Sequence, residues 1–173
     1  MAEIISDLKV SDISLCGTSN ATPQPTHSDS CLIITSNIVL SGLDSGKTCF
    51  IQDNSGGPIT ITLPNTSKLC LGTRYTLVQE GFDSNDSLII RTFQNNEYFS
   101  TGSYVRDNTT DNTILRPSND IKNIITATGT ATNCSHSIGT VIECQIISRN
   151  KWLIQVNNKV LGNGNNTYSF TEL

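Results

Sequence analysis

A chain of 173 residues has room for one domain with a sizeable core. Its net charge of -4 and its 15% content of charged residues exclude a basic nucleic-acid surface, which needs clustered Lys and Arg to displace counterions from phosphate. Asn, Thr and Ser make up about a third of the chain. That balance favours strands joined by turns, because Thr is β-branched and Asn and Ser bond their own backbone in turns.

Residues 1–30, ending in GTSNATPQPTHSDS, hold two short apolar clusters and a Pro/Ser/Thr stretch that cannot pair as a central strand. They are predicted to form an extended N-terminal arm, with a single β-domain over residues 31–173. The run CLIITSNIVL opens that domain. Next comes TCFIQD, the turn NSGGP, and ITITLP, in which Ile59, Ile61 and Leu63 alternate with Thr60 and Thr62. A period of two places the apolar set on one face of a half-buried antiparallel strand and the Thr face outward, and Pro64 ends the pairing.

TRYTLVQE puts Tyr75 and Leu77 on one face, and the polar turn GFDSNDS before SLIIRTF predicts a hairpin. From Gln94 to Asp120 only brief apolar groups stand between turn formers, which predicts short strands and a long exposed loop. IKNIITATG and IGTVIECQIIS follow, the latter with Ile142, Cys144 and Ile146 opposing Val141, Glu143 and Gln145. A tight turn at Arg149 and Asn150 leads into KWLIQVNN, where Trp152, Ile154 and Val156 alternate, so these two strands form a hairpin that packs an aromatic into the core. The Gly/Asn-rich tail VLGNGNNTYSFTEL reads as peripheral, with Tyr168 and Phe170 able to dock on a neighbour.

Eight or nine strands at spacings of about 8 to 12 residues are the cadence of a sandwich or barrel. The absence of crossover helices excludes a parallel α/β sheet. The expected fold is therefore all-β, an antiparallel β-sandwich of jelly-roll type. Nothing approaches the roughly 18 apolar residues of a membrane span, and MAEIISDLKV lacks the basic-then-apolar layout of a secretion signal, so the chain reads as made and kept in cytosol. On that ground Cys16, Cys31, Cys49, Cys70, Cys134 and Cys144 are expected to be reduced, mostly buried thiols.

The chemistry-bearing motifs fail one by one. SGLDSGKT, from Ser41 to Thr48, resembles a phosphate-binding loop, but Gly42 is one residue too close to Gly46 and Thr48 to Asp53 reads as a strand where a helix is needed. Cys134 and His136 share one loop, whereas a thiol's base must approach from another element. The Cys spacings contain no CxxC and His27 and His136 are far apart, which leaves no zinc set. Asp83, Asp86, Glu97, Asp107 and Glu143 read as solvated surface rather than paired carboxylates. The Asn-x-Ser/Thr sequons at Asn20, Asn65, Asn85, Asn108, Asn133 and Asn165 are about as many as this composition gives by chance. No enzyme activity, cofactor or metal is expected.

From Ser45 to Val156 the order SGKTCFIQD, GGPITITLP, LGTRYTLVQ, SLIIRT and GTVIECQIISRNKWLIQV resembles the β-domains of phage tail fibres and of surface or minor capsid proteins of large DNA viruses. The resemblance covers about two-thirds of the chain. It implies a non-enzymatic virion component made in the host cytoplasm: a decoration, minor capsid or fibre-head subunit. It further implies a homo-oligomer, a trimer by preference, anchored to other virion proteins by its arm, while charge and hydropathy give no expectation of nucleic acid or membrane as a partner. A neutral, Thr-rich surface agrees, since Lys and Glu are depleted at interface cores. The alternative is a carbohydrate- or receptor-binding module, in which Tyr98, Phe99 and Tyr104 stack on sugar rings of a host glycan or receptor.

Overall fold

The computed structural model describes residues 31–52, 57–81, 87–107, 114–119, 122–129, 139–158 and 166–172. The predicted arm at 1–30 lies outside them, as do Cys16, His27, Asp83, Asp86, Cys134 and His136. Thirteen strands occupy the described residues: β1 (Cys31–Ile34), β2 (Ile38–Val39), β3 (Thr48–Gln52), β4 (Ile59–Thr62), β5 (Arg74–Gly81), β6 (Ser87–Arg91), β7 (Tyr98–Phe99), β8 (Tyr104–Asp107), β9 (Ile114–Leu115), β10 (Ile124–Gly129), β11 (Val141–Ser148), β12 (Lys151–Asn158) and β13 (Asn166–Thr171). Among the described residues helix is confined to two single 3-10 turns, Gly42–Asp44 and Thr66–Lys68. None of the described helices is long and apolar enough to cross a membrane.

The all-β expectation holds, but both sheets are mixed. The larger runs β1-β3-β5-β11-β12-β8-β9, with β7 also beside β12, and the smaller runs β13-β10-β6-β4-β2. From β1 to β6 consecutive strands alternate between the two sheets. As a result β1, β3 and β5 pair in parallel in one sheet, and β2, β4 and β6 pair in parallel in the other. The purely antiparallel arrangement expected from the sequence is thereby corrected. A parallel pair needs a long return path, usually helical. Here the return path is a strand of the other sheet, so the chain winds in two-strand turns with no α-helix among the described residues. The hairpin expected around GFDSNDS is corrected for the same reason: β5 pairs with β3 and β11, whereas β6 lies in the other sheet between β4 and β10.

The second half is antiparallel at its centre. β11 pairs with β12 across the turn at Arg149 and Asn150, as the alternation predicts, and with β5 on its other side. Asn150 takes the left-handed conformation at φ 66°, which Asn tolerates better than most residues in a two-residue hairpin turn. The tail is not peripheral: β13 adds to β10, and Tyr168 and Phe170 pack against the core.

One hydrophobic cluster draws on both sheets. Ile59, Ile61, Leu88, Ile90 and Ile125 come from the smaller sheet, and Cys49, Ile51, Tyr75, Leu77, Ile142, Cys144, Ile146, Trp152, Ile154 and Val156 from the larger. Trp152 is fully buried, its ring centroid 6.0 Å from that of Tyr75. A void of only about 10 Å³ remains where residues of both sheets meet, among them Leu88, Ile125, Ile142 and Val156. That is at the lower limit for holding a water molecule. The connections 40–47, 63–73 and 92–97 and the turn 149–150 all leave from one end of the sheets, because β2, β4, β6 and β11 finish there and β3, β5, β7 and β12 begin there.

Candidate functional site

The three aromatics singled out by sequence do not form one site. Phe99 is fully buried beside Trp152 of the neighbouring strand and meets Phe170 edge-on, centroids 6.2 Å apart. Its ring belongs to the core and has no free face for a sugar. Tyr98 and Tyr104 pair with Lys151 and Gln155, which alternate with the buried Trp152, Ile154 and Val156. Both tyrosines are therefore half-buried on the outward face of the larger sheet. The Arg106 guanidinium sits 6.0 Å from the Tyr104 ring centroid, at the outer limit of a cation-π contact.

Ser41 to Thr48 is a turn between strands, as its failed motif implies. Ser41 donates its amide (2.9 Å) and its hydroxyl (2.7 Å) to Asp44 Oδ2, and Lys47 Nζ lies 3.1 Å from Asp44 Oδ1. Partial burial pushes the Asp44 carboxyl up, but these donors outweigh it and hold the group below its ordinary value. The lysine that would reach a phosphate is thus engaged with its own turn.

Glu97 overturns the expectation of a solvated carboxylate: it is fully buried. Its Oε1 accepts from the Thr66 amide (2.6 Å) and hydroxyl (2.7 Å), and its Oε2 from the amides of Phe93 (3.1 Å) and Gln94 (3.4 Å). The Thr66 hydroxyl in turn accepts from the Asn150 amide at 3.2 Å. Thr92 closes the knot, its hydroxyl donating toward the carbonyls of Gln94 and Glu97. The Glu97 side chain thus ties the 63–73 connection to its own, and the Thr66 hydroxyl extends the tie to the turn at 149–150. Buried carboxylates are tolerated when their lone pairs are filled in this way. QNNEYF by itself does not mark Glu97 as buried: Phe93 and Gln94 are local partners, but the two contacts to its Oε1 come from Thr66 in another crossover.

A surface groove of about 240 Å³ lies at the same end, lined by Val39, Leu40, Ser41, Gly42, Pro64, Asn65, Lys68, Leu69 and Phe93. It falls below the roughly 300 to 1,000 Å³ of small-molecule sites, and Lys68 is the single ionisable group among its described walls. A Cβ at Gly42 would stand 2.8 Å from Leu69 Cδ2, so a larger residue there requires the leucine side chain to shift.

The more telling feature is on the outward face of the larger sheet. Ile33 pairs with Phe50, Phe50 with Val78, and Val78 with Val141. All four belong to the outward set, since Ile34, Cys49, Ile51, Leu77 and Ile142 next to them are the buried ones. Four neighbouring strands therefore carry an in-register apolar row on a face that would ordinarily be polar. The next outward row, Thr48, Thr76, Glu143 and Gln155, is polar. Among the described residues the apolar row ends at Ile33, which is 58% exposed on β1. The sequence carries a signal for it: FIQ, LVQ and TVIEC place apolar residues at adjacent positions where clean alternation would put a polar one. Only the register shows that these lapses line up.

The inward thiols are inert. Burial pushes the Cys49 thiol up to about 11, and the charged form of Asp44 adds to this. Burial likewise drives Cys144 and the Tyr75 hydroxyl far above their ordinary values, and Tyr75 donates to the Ser41 carbonyl at 2.9 Å. Cys70 departs from the expectation of reduced thiols, being disulfide-bonded. Among the described residues no group of three or more His, Cys, Asp or Glu is placed to hold a metal ion. Comparison of the chain with family models, with curated proteins and with solved structures gives no match.

Proposed function

We propose that the protein is a non-enzymatic structural subunit that works by packing its sheet face and edge against other polypeptides. The two sheets are read as the layers of a sandwich whose first half is wound rather than built from jelly-roll hairpins. The observation that carries the proposal is the apolar row Ile33, Phe50, Val78 and Val141 on the outward face. Apolar side chains aligned across four strands lose contact area with water only when another surface covers them, at roughly 25 cal/mol per Å². A decoration, minor capsid or fibre-head subunit of a virus particle, the role implied by the resemblance of SGKTCFIQD through KWLIQV, is the kind of protein that uses such a face.

Hydroxyl-radical footprinting tests this by comparing the chain in its native assembly with the purified chain. Phe50, Val78 and Val141 are expected to be protected in the assembly. Equal labelling of these residues in both states would refute the reading. Tyr98 and Tyr104, which share the outward face, favour a second reading in which this face binds a glycan or receptor. A glycan array with the wild type beside Tyr98→Ala and Tyr104→Ala decides it, and an array without signal ends that reading.

A further inference from the structure

We infer that Cys70 is bonded to Cys16, and that this link seats Ile13 and Leu15 in the surface groove at the crossover end. The inference goes beyond the subunit reading and does not rest on it. The chain has six cysteines, of which Cys31, Cys49 and Cys144 are thiols and Cys70 is disulfide-bonded. The partner of Cys70 within the chain is therefore Cys16 or Cys134, both outside the described residues.

The topology separates the two. Cys70 is exposed in the 63–73 connection, and its carbonyl accepts from the Thr73 amide at 3.2 Å, which keeps it beside the start of β5. Cys134 lies between Gly129 and Gly139, which both stand at the opposite end of the sheets. Gly129 closes β10 beyond Thr128, the partner of Ser87 at the start of β6. Gly139 donates to the Gln79 carbonyl at 2.8 Å, and Thr73 to Gln79 spans about 20 Å at the rise of a strand. Cys134 would meet Cys70 only if 129–134 and 134–139 were both stretched to their limit of about 17 Å back along the sheets. Cys16 meets no such obstacle. Cys31 pairs with Thr48, so the chain enters β1 at the crossover end, about 10 Å from β5 across β3. Residues 16–31 can span about 50 Å.

The link also selects the occupant of the groove. Leu69, next to Cys70 in the chain, is one of its walls, together with Val39, Pro64 and Phe93. Val39 is 57% exposed and Phe93 46%, so the walls offer apolar area to a covering segment. Ile13 and Leu15 precede Cys16 in DISLC, which places both within about 10 Å of the link. Asp12 stands before them, opposite in sign to Lys68, the single ionisable group among the described walls. A groove below the size of small-molecule sites suits a few side chains of the chain's own preceding segment.

Peptide mapping of the full chain, purified without reductant and alkylated with iodoacetamide, tests the link. A peptide joining Cys16 to Cys70 is expected, with Cys134 alkylated. Cys16→Ser is expected to open Cys70 to the reagent, whereas Cys134→Ser leaves it protected. A peptide joining Cys134 to Cys70, an alkylated Cys70 in the wild type, or a link found only in covalent dimers overturns the inference. Hydroxyl-radical footprinting tests the seat. Labelling of Leu69 and Phe93 is expected to rise severalfold over wild type when Ile13→Asp and Leu15→Asp are combined with the disulfide intact. The same rise is expected in the wild type when dithiothreitol reduces the link to two thiols and is itself oxidised to its cyclic disulfide. Buried Trp152 emission confirms that the domain stays folded, and Ile13→Ser with Leu15→Ser serves if the aspartate variant does not fold. Equal labelling in wild type and variant overturns the seat, as does protection that appears only as chain concentration rises, which would put a second copy in the groove. None of these outcomes bears on Phe50, Val78 or Val141, so failure here is separable from failure of the subunit reading.

Discussion

Truncating Glu97 tests whether one buried carboxylate holds the crossover end together. Glu97→Ala removes all four acceptor contacts. The Thr66 amide is then left buried without a partner, at a cost of about 1–3 kcal/mol. The amides of Phe93 and Gln94 are only part-buried, so water offsets some of their loss. With the lost side-chain packing, the sum is on the order of 3–5 kcal/mol. At a urea slope of about 2 kcal/mol per M this moves the midpoint down by roughly 2 M.

Glu97→Gln separates charge and acceptor count from volume. Its carbonyl oxygen can still serve Thr66, but its NH2 group then faces two backbone donors, so a loss of about 1–2 kcal/mol is expected. Thr66→Val combined with Glu97→Gln is expected to fall short of additivity by about 1 kcal/mol, because the two residues share a bond. Urea unfolding followed by Trp152 fluorescence reads all four variants. Midpoints for Glu97→Ala and Glu97→Gln that both stay within about 0.5 kcal/mol of wild type would refute the reasoning.

Three further outcomes follow from the same structure. Asn150→Val places a β-branched residue at φ 66° and is expected to cost about 1–2 kcal/mol in thermal or urea unfolding, whereas Asn150→Gly is expected to be nearly neutral. Trp152 is the only tryptophan and is fully buried, so native emission is expected to be blue-shifted and to move red only in the global transition; Trp152→Ala is expected to lose about 3–5 kcal/mol. The folded state holds the Cys49 proton more tightly than the unfolded chain does, with the thiol raised from 9.0 to about 11. That contribution is complete below about pH 9 and is lost as pH rises through 11, and Tyr75 and Cys144 act in the same direction, so the urea midpoint is expected to fall across that window. Iodoacetamide at about pH 8 is expected to label neither Cys49 nor Cys144 before unfolding.

Strand content was readable wherever one face of a segment is buried and the other wet. Ile142, Cys144 and Ile146 on β11 and Trp152, Ile154 and Val156 on β12 are buried as their alternation predicts, and the hairpin joining them is present. Pairing partners were not readable in the wound half. Residues 74–81 and 87–91 are consecutive strands around a polar turn, the usual hairpin signal, yet they enter different sheets. Alternation reports which side chains are buried, and both arrangements bury Tyr75, Leu77, Leu88 and Ile90. Glu97 was missed for a different reason: its burial depends on the amide and hydroxyl of Thr66, which only the assembled crossovers bring to it. The apolar row lay half-visible in the sequence as lapses of alternation at Phe50, Val78 and Val141.

The winding of β1 to β6 also orders the folding reaction. β11 and β12 meet across a two-residue turn, so their ladder forms at little loop-closure cost. The parallel pairs gain nothing until a whole crossover has closed, which places them among the slow, long-range contacts. Substitutions along β11 and β12 are therefore expected to retard refolding, whereas those in the parallel pairs of β1 to β6 mainly hasten unfolding.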